Sequence, residues 1–201
     1  MTLKIGSISA WLAASFATVY SVAQLFVVLT KVTPPPWDLF AIVFPSILLA
    51  PAYLISMTCL RDQVRQSERK IMGDLALHFG LLYAALVSIA YITQLAVVIP
   101  AILSGQGQEV EPFAMTAGRF ITAVDGLGYG FMSISSLFAA LCLPQTPQTR
   151  FLRYSFLGHG FLAPVIIGAL FVTPLMYLGA LWIVFVPSSL VLLARYFKHS
   201  I

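Results

Sequence analysis

Six long apolar stretches run through this sequence, with polar or proline-rich residues between them. A helix needs about 20 mainly apolar residues to cross a hydrocarbon core about 30 Å thick. Hydrophobic residues make up 60% of the 201 residues and charged residues only 9%, whereas soluble domains carry about 25% charged residues. The composition therefore excludes a soluble enzyme, a disordered chain and a nucleic-acid-binding module, and it predicts an integral membrane protein.

Backbone hydrogen bonding decides which secondary structure these stretches adopt. Because the bilayer core holds no water, each backbone polar group must be satisfied within a helix or a closed barrel. Barrel strands are alternating segments of about ten residues, but these apolar runs are continuous and much longer. We therefore predict an all-α integral membrane bundle, one polytopic domain over residues 1–201, with six transmembrane helices and short loops. The predicted helices cover about residues 8–30, 39–60, 74–103, 113–143, 151–172 and 175–196.

The distribution of charged residues predicts the orientation. Six crossings place both termini on one side, together with most of the basic residues: Lys4, Arg61, Arg65, Arg69, Lys70, Arg150, Arg153, Arg195 and Lys198. The opposite side receives Lys31 and the acidic pair Glu109 and Glu111. Basic residues collect in cytoplasmic loops, so both termini are expected to be cytoplasmic. The formal net charge of +4 is spread over short loops, which argues against a nucleic-acid partner.

The chain ends and the cysteines lead to two further expectations. Lys4 precedes an apolar run, as in a secretory signal, but a clear small-residue cleavage site is lacking and the run is long enough to span. We therefore expect a retained first helix and no cleaved signal peptide. Cys59 and Cys142 lie near predicted cytoplasmic helix ends, where free thiols are the default. The turn between the last two helices is marked only by Thr173 and Pro174.

Asp125 is the main candidate for a functional residue. An ionisable side chain within a crossing costs about 2.5–3.5 kcal/mol on insertion scales, and such residues usually face the bundle interior and mark function. Tyr129 and Ser133 follow Asp125 at spacings of four, so the three share a helix face. The functional hypothesis is a proton carrier or a ligand for a cationic or hydroxylated substrate. The alternative is an inter-helix hydrogen bond that only stabilises the bundle.

His159 lies in the fifth predicted helix, at a depth that leaves Tyr129 between it and Asp125. Histidine titrates near neutral pH, which suits a proton relay of Asp125, Tyr129 and His159 if the two helices face each other. A single hydrogen bond from the imidazole to a backbone carbonyl is the alternative.

Two glutamines complete the predicted site. Gln24 and Gln94 each begin a Gln-Leu-x-Val-Val run, and Tyr20 and Tyr91 lie one turn away from them. If these side chains face inward, they outline one polar pocket with Asp125, which is the predicted ligand- or proton-binding site. Single inter-helix hydrogen bonds from the glutamines remain the alternative.

Arg119 is six residues before Asp125, so the two do not share a helix face. A water could bridge them, or Arg119 could extend to the headgroups or to Glu111. Gly118, Gly126 and Gly130 in the same predicted helix favour close packing of a neighbouring helix over a broken helix at a transport site.

Proline and histidine complete the sequence features. Four prolines lie within predicted helices and are expected to kink them: Pro45, Pro51, Pro164 and Pro187. The chain has three histidines, and their spacing fits neither a zinc nor a haem site. We therefore expect no metal and no cofactor.

The chain contains no recognised catalytic motif. The sequence favours a small-molecule or proton-coupled transporter or sensor that uses the polar residues around Asp125. One alternative is a membrane-embedded enzyme on a lipid-like substrate, with Asp125 as general acid or base and His159 or Tyr129 assisting, although a single central carboxylate leaves little for two-step chemistry. Another is a structural subunit of a membrane complex. The expected partners are the lipid bilayer, a small-molecule ligand, and further copies or subunits.

Overall fold

The computed structural model describes residues 1–30, 32–65, 68–172 and 174–199. Within these ranges all regular secondary structure is helical, which confirms the predicted all-α class. Lys31, used to predict the orientation, and Thr173, used to place the last turn, lie outside the described residues.

Nine α-helices occur in the described ranges, together with a π-helical turn and a 3-10 turn. The helices are α1 Thr2–Thr30, α2 Trp37–Gln63, α3 Lys70–Thr93, α4 Ile99–Leu103, α5 Phe120–Cys142, α6 Arg150–Gly160, α7 Ala163–Ala169, α8 Leu175–Gly179 and α9 Trp182–His199. The π turn Gln94–Val98 joins α3 to α4, and the 3-10 turn Glu111–Phe113 precedes α5. In the part of the chain described, they make six segments long and apolar enough to cross a bilayer.

The six segments form a closed ring in chain order. Helix α1 packs against α2, α2 against α3, and α3 against α5. Helix α5 then packs against α6 and α7, while α6 packs against α9, which returns to α1. The ring closes where the Ser7 hydroxyl donates to the Ala194 carbonyl at 3.2 Å. The largest fully buried side chains include Tyr53, Tyr83 and Tyr91, so the interior of the ring is rich in phenol groups.

The two ends of the bundle differ in character. The terminal end carries the start of α1 and the end of α9, the 2.6 Å ion pair of Arg61 with Asp74, and the 3.2 Å hydrogen bond from Arg153 to the Ala140 carbonyl. The loop end carries residues 104–119, the longest connection between described helices.

The fourth segment begins later than predicted. Instead of starting near residue 113, α5 starts at Phe120, and both Gly118 and Arg119 precede it. Pro112 lies in the 3-10 turn, Ala114 is extended, and Gly118 has a φ of 80°, a conformation that glycine adopts without steric cost. Asp125 therefore lies in the second turn of α5, about 8 Å along the axis from its first residue, nearer the loop end than the sequence indicated.

The fifth and sixth segments are interrupted where continuous helices were predicted. Helix α6 ends at Gly160, and α7 begins at Ala163 with Pro164 in its first turn. Proline has no N–H to donate to the carbonyl four residues earlier, so it suits the start of a helix better than its interior. Pro45 and Pro187, by contrast, lie inside α2 and α9 without ending them.

Glycines on α5 bring it close to the fifth segment. A Cβ at Gly126 would lie 2.5 Å from the Leu170 side chain, and a Cβ at Gly130 would lie 2.6 Å from that of Ile167. Both contacts are shorter than carbon atoms tolerate, so the absence of a Cβ at these positions lets Leu170 and Ile167 pack directly on α5. The close-packing interpretation of this glycine pair is confirmed.

Gly160 marks the tightest approach to backbone. A Cβ there would lie 2.7 Å from the Leu137 Cβ and 2.9 Å from its Cα. We predict that Gly160→Ala lowers the free energy of unfolding by about 1–3 kcal/mol, because α6 must move away from α5. Gly179→Ala is the matched control, since its Cβ would lie 3.9 Å from Ile166 and should leave stability unchanged. Unfolding by denaturing detergent in micelles measures both, and equal stabilities would contradict the prediction.

Candidate functional site

Asp125 lies on α5 with one carboxyl oxygen inside the protein. Oδ1 is buried and has no hydrogen-bond partner among the described residues. The Tyr91 hydroxyl interacts with the carboxyl group, and the Asp125 charge also acts on Tyr20, Tyr83 and Tyr129. The acid predicted from the sequence therefore faces the bundle interior, among phenols that come from three of the six segments.

No Lys or Arg side chain in the described ranges neutralises this carboxyl. Arg119, the nearest basic residue in the chain, forms an ion pair with Glu111 at the loop end. Of the two alternatives to bridging Asp125, the structure thus shows the contact with Glu111. Asp125 is therefore an acid without a counter-charge among the described side chains.

Four rings from four segments pack together around Tyr129, one helical turn from Asp125. We call Tyr20, Tyr83, Tyr129 and Trp182 the aromatic cluster. Tyr129 lies at its centre, with ring centroids 6.3 Å from Tyr20, 5.8 Å from Tyr83 and 5.1 Å from Trp182. Tyr20 and Trp182 close the group at 5.2 Å, edge to face. Centroid distances of 4.5–7 Å are typical of favourable aromatic pairs, so the cluster holds four segments together.

Hydroxyl groups add a polar side to the cluster. The Tyr91 and Tyr129 hydroxyls share a hydrogen bond of 2.7 Å, which joins α3 to α5. Ser133 is buried, and its hydroxyl donates to the Tyr129 carbonyl within α5 at 3.1 Å. Of the residues predicted on one face of α5, Asp125 and Tyr129 are therefore brought together with Tyr91, whereas Ser133 satisfies its own helix.

Two members of the aromatic cluster carry unpaired polar atoms. Trp182 Nε1 and the Tyr83 hydroxyl are buried without a hydrogen-bond partner in the described residues, although Trp182 is only 5% exposed and Tyr83 is fully buried. Buried polar groups are nearly always paired, and exceptions call for an explanation such as a bound molecule. Together with Asp125 Oδ1, the site offers both an unused acceptor and unused donors.

His159 belongs to a second polar group, nearer the terminal end. Its Nδ1 shares a 2.8 Å hydrogen bond with the Ser136 hydroxyl, so its partner is a side chain and not a backbone carbonyl. The Tyr53 hydroxyl donates to Ser135 at 2.9 Å and lies 3.3 Å from the Ser136 oxygen. The Tyr53 ring packs edge to face on Tyr83 at 5.4 Å. His159 is thus connected to the aromatic cluster through Ser136 and Tyr53, and it forms no hydrogen bond with Tyr129 within the described part of the chain.

Gln94 fastens the loop end to the bundle. Its side chain is fully buried, its Nε2 donates to the Phe113 carbonyl at 2.8 Å, and its Oε1 accepts from the Met115 amide at 3.2 Å. The π turn begins at Gln94 and precedes Pro100, whose missing N–H a widened turn accommodates. Since Gln94 lies one turn beyond Tyr91, this loop covers the site on its loop-end side. Gln24 is half-buried on α1.

Sequence reasoning missed Tyr53, Tyr83, Ser136 and Trp182. Spacing carried a signal for two of them, because Tyr83 is eight residues before Tyr91 and Ser136 seven after Tyr129, separations that share a helix face. Trp182 had no such signal, since its neighbours in the cluster come from other segments.

Two apolar grooves of about 430 and 370 Å³ lie between α1 and α2. Their lining includes Val19, Ala23 and Ala41 and none of the predicted site residues. In the ranges described, no three His, Cys, Asp or Glu side chains are grouped so that they could hold a metal ion. Cys59 and Cys142 are free and buried, as expected.

Comparison of the chain with protein-family models, with curated protein sequences and with solved structures finds no match. The functional proposal below therefore rests on the geometry of the chain's own residues.

The two glutamines provide a matched pair of variants. We predict that Gln94→Leu leaves the Phe113 carbonyl and the Met115 amide without partners, so that the loop over residues 110–119 opens more often. Hydrogen exchange of these amides in detergent or nanodiscs should then accelerate by at least about tenfold, since the loss of each buried partner costs about 1–3 kcal/mol. Gln24→Leu should leave their exchange unchanged. Equal exchange in both variants would show that Gln94 does not hold the loop.

Proposed function

We propose that this chain is an integral membrane protein with six crossings and both termini in the cytoplasm. Its outward helix faces support this, because large apolar side chains such as Val22 and Ile89 are 61% and 54% exposed. Apolar surface of this extent is unfavourable in water and is typical of a membrane contact. The terminal end holds the basic loops, as expected for the cytoplasmic side.

Labelling with a membrane-impermeant thiol reagent tests this orientation. Ser104 at the loop end and Gln145 at the terminal end are both exposed, and the native cysteines are buried. We expect Ser104→Cys to react in intact cells, and Gln145→Cys to react only after the membrane is permeabilised. The reverse pattern would contradict the proposed orientation, and reaction of both in intact cells would contradict the six crossings.

We propose further that the protein is a small-molecule or proton-coupled transporter or sensor whose ion-binding group is Asp125. The supporting observation is the buried Oδ1 that has neither a hydrogen-bond partner nor a cation among the described residues. A buried carboxylate with an unpaired oxygen and no counter-charge is costly, so it takes up a proton or a cationic partner. In this protein either one must come from outside the described side chains.

The Tyr91–Tyr129 pair gives the acid a means of responding to its charge. In the structure the two hydroxyls bond to each other. When Asp125 is ionised, a phenol can turn to donate to the carboxylate, and when Asp125 is neutral that phenol returns to its partner. Because these groups come from α3 and α5, a change of charge alters the contact between two segments. Such coupling of a site to helix packing is what a transporter or a sensor requires.

The other functions considered have less support. A membrane-embedded enzyme would need a second reactive group beside Asp125, but Ser136 and Tyr53 lie between His159 and the aromatic cluster. A structural subunit would need no unpaired carboxyl oxygen, because an apolar residue or an amide would pack there at lower cost.

Infrared difference spectroscopy of the reconstituted protein tests proton binding at Asp125. On a step from alkaline to acidic pH, we expect a carbonyl band of a protonated, buried carboxyl in the wild type. Asp125→Asn should lose this band, and Glu109→Gln should keep it, because Glu109 is an exposed carboxyl in the loop. Tyr91→Phe should shift its frequency, because Tyr91 interacts with the carboxyl. A buried carboxyl band that persists in Asp125→Asn, or its absence from the wild type, would refute the proposal.

A further inference from the structure

We infer that the Asp125 site binds a small organic cation, with its ammonium group between the carboxyl and the aromatic cluster. This inference rests on the proposed function and names the chemical class of the ligand. Three features carry it: the charge of the acid, the rings beside it, and the unpaired polar atoms around it.

The first feature is the uncompensated charge of the Asp125 carboxylate. Asp125 Oδ1 is buried without a partner, and no described basic side chain neutralises the carboxyl. A second ion within about 4–6 Å favours the ionised form of a carboxyl. An ammonium group brought by a ligand therefore gains more here than in water, because the surroundings screen the attraction less.

The rings supply the second part of a cation site. Trp and Tyr faces attract a cation within about 6 Å of the ring centroid, and clusters of such rings recognise quaternary ammonium ligands. Tyr20, Tyr129 and Trp182 pack on one another with centroids 5.1–6.3 Å apart, so an ammonium group that displaces one ring contacts the other two. An anion would be repelled by the carboxylate and would gain nothing from the negative faces of the rings.

The ligand needs space, so at least one ring of the aromatic cluster must move. Two of its members occupy positions where movement costs little. Trp182 is the first residue of α9 and follows a turn after the short helix α8. Tyr20 is only half-buried on α1. Side chains at the end of a helix or at a partly open position move at lower cost than those in mid-core. The ligand therefore displaces Tyr20, and Trp182 and Tyr129 remain in contact with it.

The unpaired donors refine the ligand class. Trp182 Nε1 and the Tyr83 hydroxyl are buried without partners within the described residues, and both rings contact Tyr129. An oxygen acceptor near the ammonium group would satisfy one of them. The expected ligand is therefore a small amine or quaternary ammonium compound that also carries a hydroxyl or ether oxygen.

The distribution of charge also suits a cation that arrives from the loop end. Asp38, Glu109 and Glu111 lie at this end, whereas the basic loops lie at the terminal end. The terminal end repels a cationic ligand, so access from the loop end is favoured.

Protons and the ligand should compete for Asp125. The titratable groups that face it are Tyr20 from α1, Tyr83 and Tyr91 from α3, and Tyr129 from α5 itself. Phenols are neutral near neutral pH, and α7 contributes no titratable residue. Only the carboxyl then changes charge, so ligand affinity should fall as the pH is lowered.

Equilibrium binding of choline to the full chain in nanodiscs tests the inference. We expect saturable binding to the wild type and at least about tenfold weaker binding to Asp125→Asn, since tenfold corresponds to 1.4 kcal/mol. Asp125→Glu keeps the charge and should retain measurable binding, and Glu109→Gln should match the wild type. Trp182→Phe keeps a ring but loses Nε1, and should weaken binding by about two- to tenfold.

An uncharged probe distinguishes recognition of the positive charge from binding through apolar contacts alone. Dimethylbutanol, the carbon isostere of choline, should bind at least about tenfold more weakly than choline. No binding of choline to the wild type, equal binding of choline to Asp125→Asn, or equal binding of both probes to the wild type would overturn the inference.

The infrared measurement keeps this inference distinct from the proposed function. Saturating choline should abolish the carboxyl band of Asp125 at the pH where that band is half formed. If the band is present in the wild type but choline leaves it unchanged, the ammonium site is refuted while proton binding at Asp125 stands. If the band is absent from the wild type, the proposed proton binding itself fails.

Discussion

Close packing along α5 is the constraint on which the rest of the structure depends. Gly126 and Gly130 admit Leu170 and Ile167 from the fifth segment, while a Cβ at Gly128 would lie 2.8 Å from Val87 of α3. With neighbours this close on both sides, α5 sits between α3 and α7 and turns Asp125 and Tyr129 towards the interior. Larger residues at the glycines would force Leu170, Val87 and Ile167 to repack around the site.

Aromatic rings then fill the space that the acid faces. Apolar packing and polar chemistry are combined in one residue type, because a phenol buries a ring and still presents a hydroxyl. Tyr91 and Tyr129 satisfy each other, whereas Tyr83, Trp182 and Asp125 keep unpaired atoms. The paired hydroxyls hold the helices together. The unpaired polar atoms are free to bind a proton or to form hydrogen bonds with a ligand.

The loop end and the terminal end contribute in different ways. Gln94 holds residues 113–115 against the bundle, one helical turn from Tyr91. A rearrangement at the site can therefore change how the loop packs. At the terminal end Arg61 and Asp74 form a surface ion pair of a kind that adds little stability. The residues of the proposed site accordingly lie in the loop-end half of the bundle. The loop residues 113–115 are held there by the buried side-chain amide of Gln94.

Composition and hydropathy alone determined the helical class, the six apolar segments and the identity of Asp125 as a residue facing the interior, because burying an acid is too costly to be incidental. The sequence could not show that α5 begins at Phe120 or that Pro164 separates two short helices, since local breaks depend on how neighbours replace lost hydrogen bonds. Nor could it show that Gln94 binds the loop or that Trp182 joins Tyr20 and Tyr129. Those contacts join residues far apart in the chain, and only the packing of helices against each other decides them.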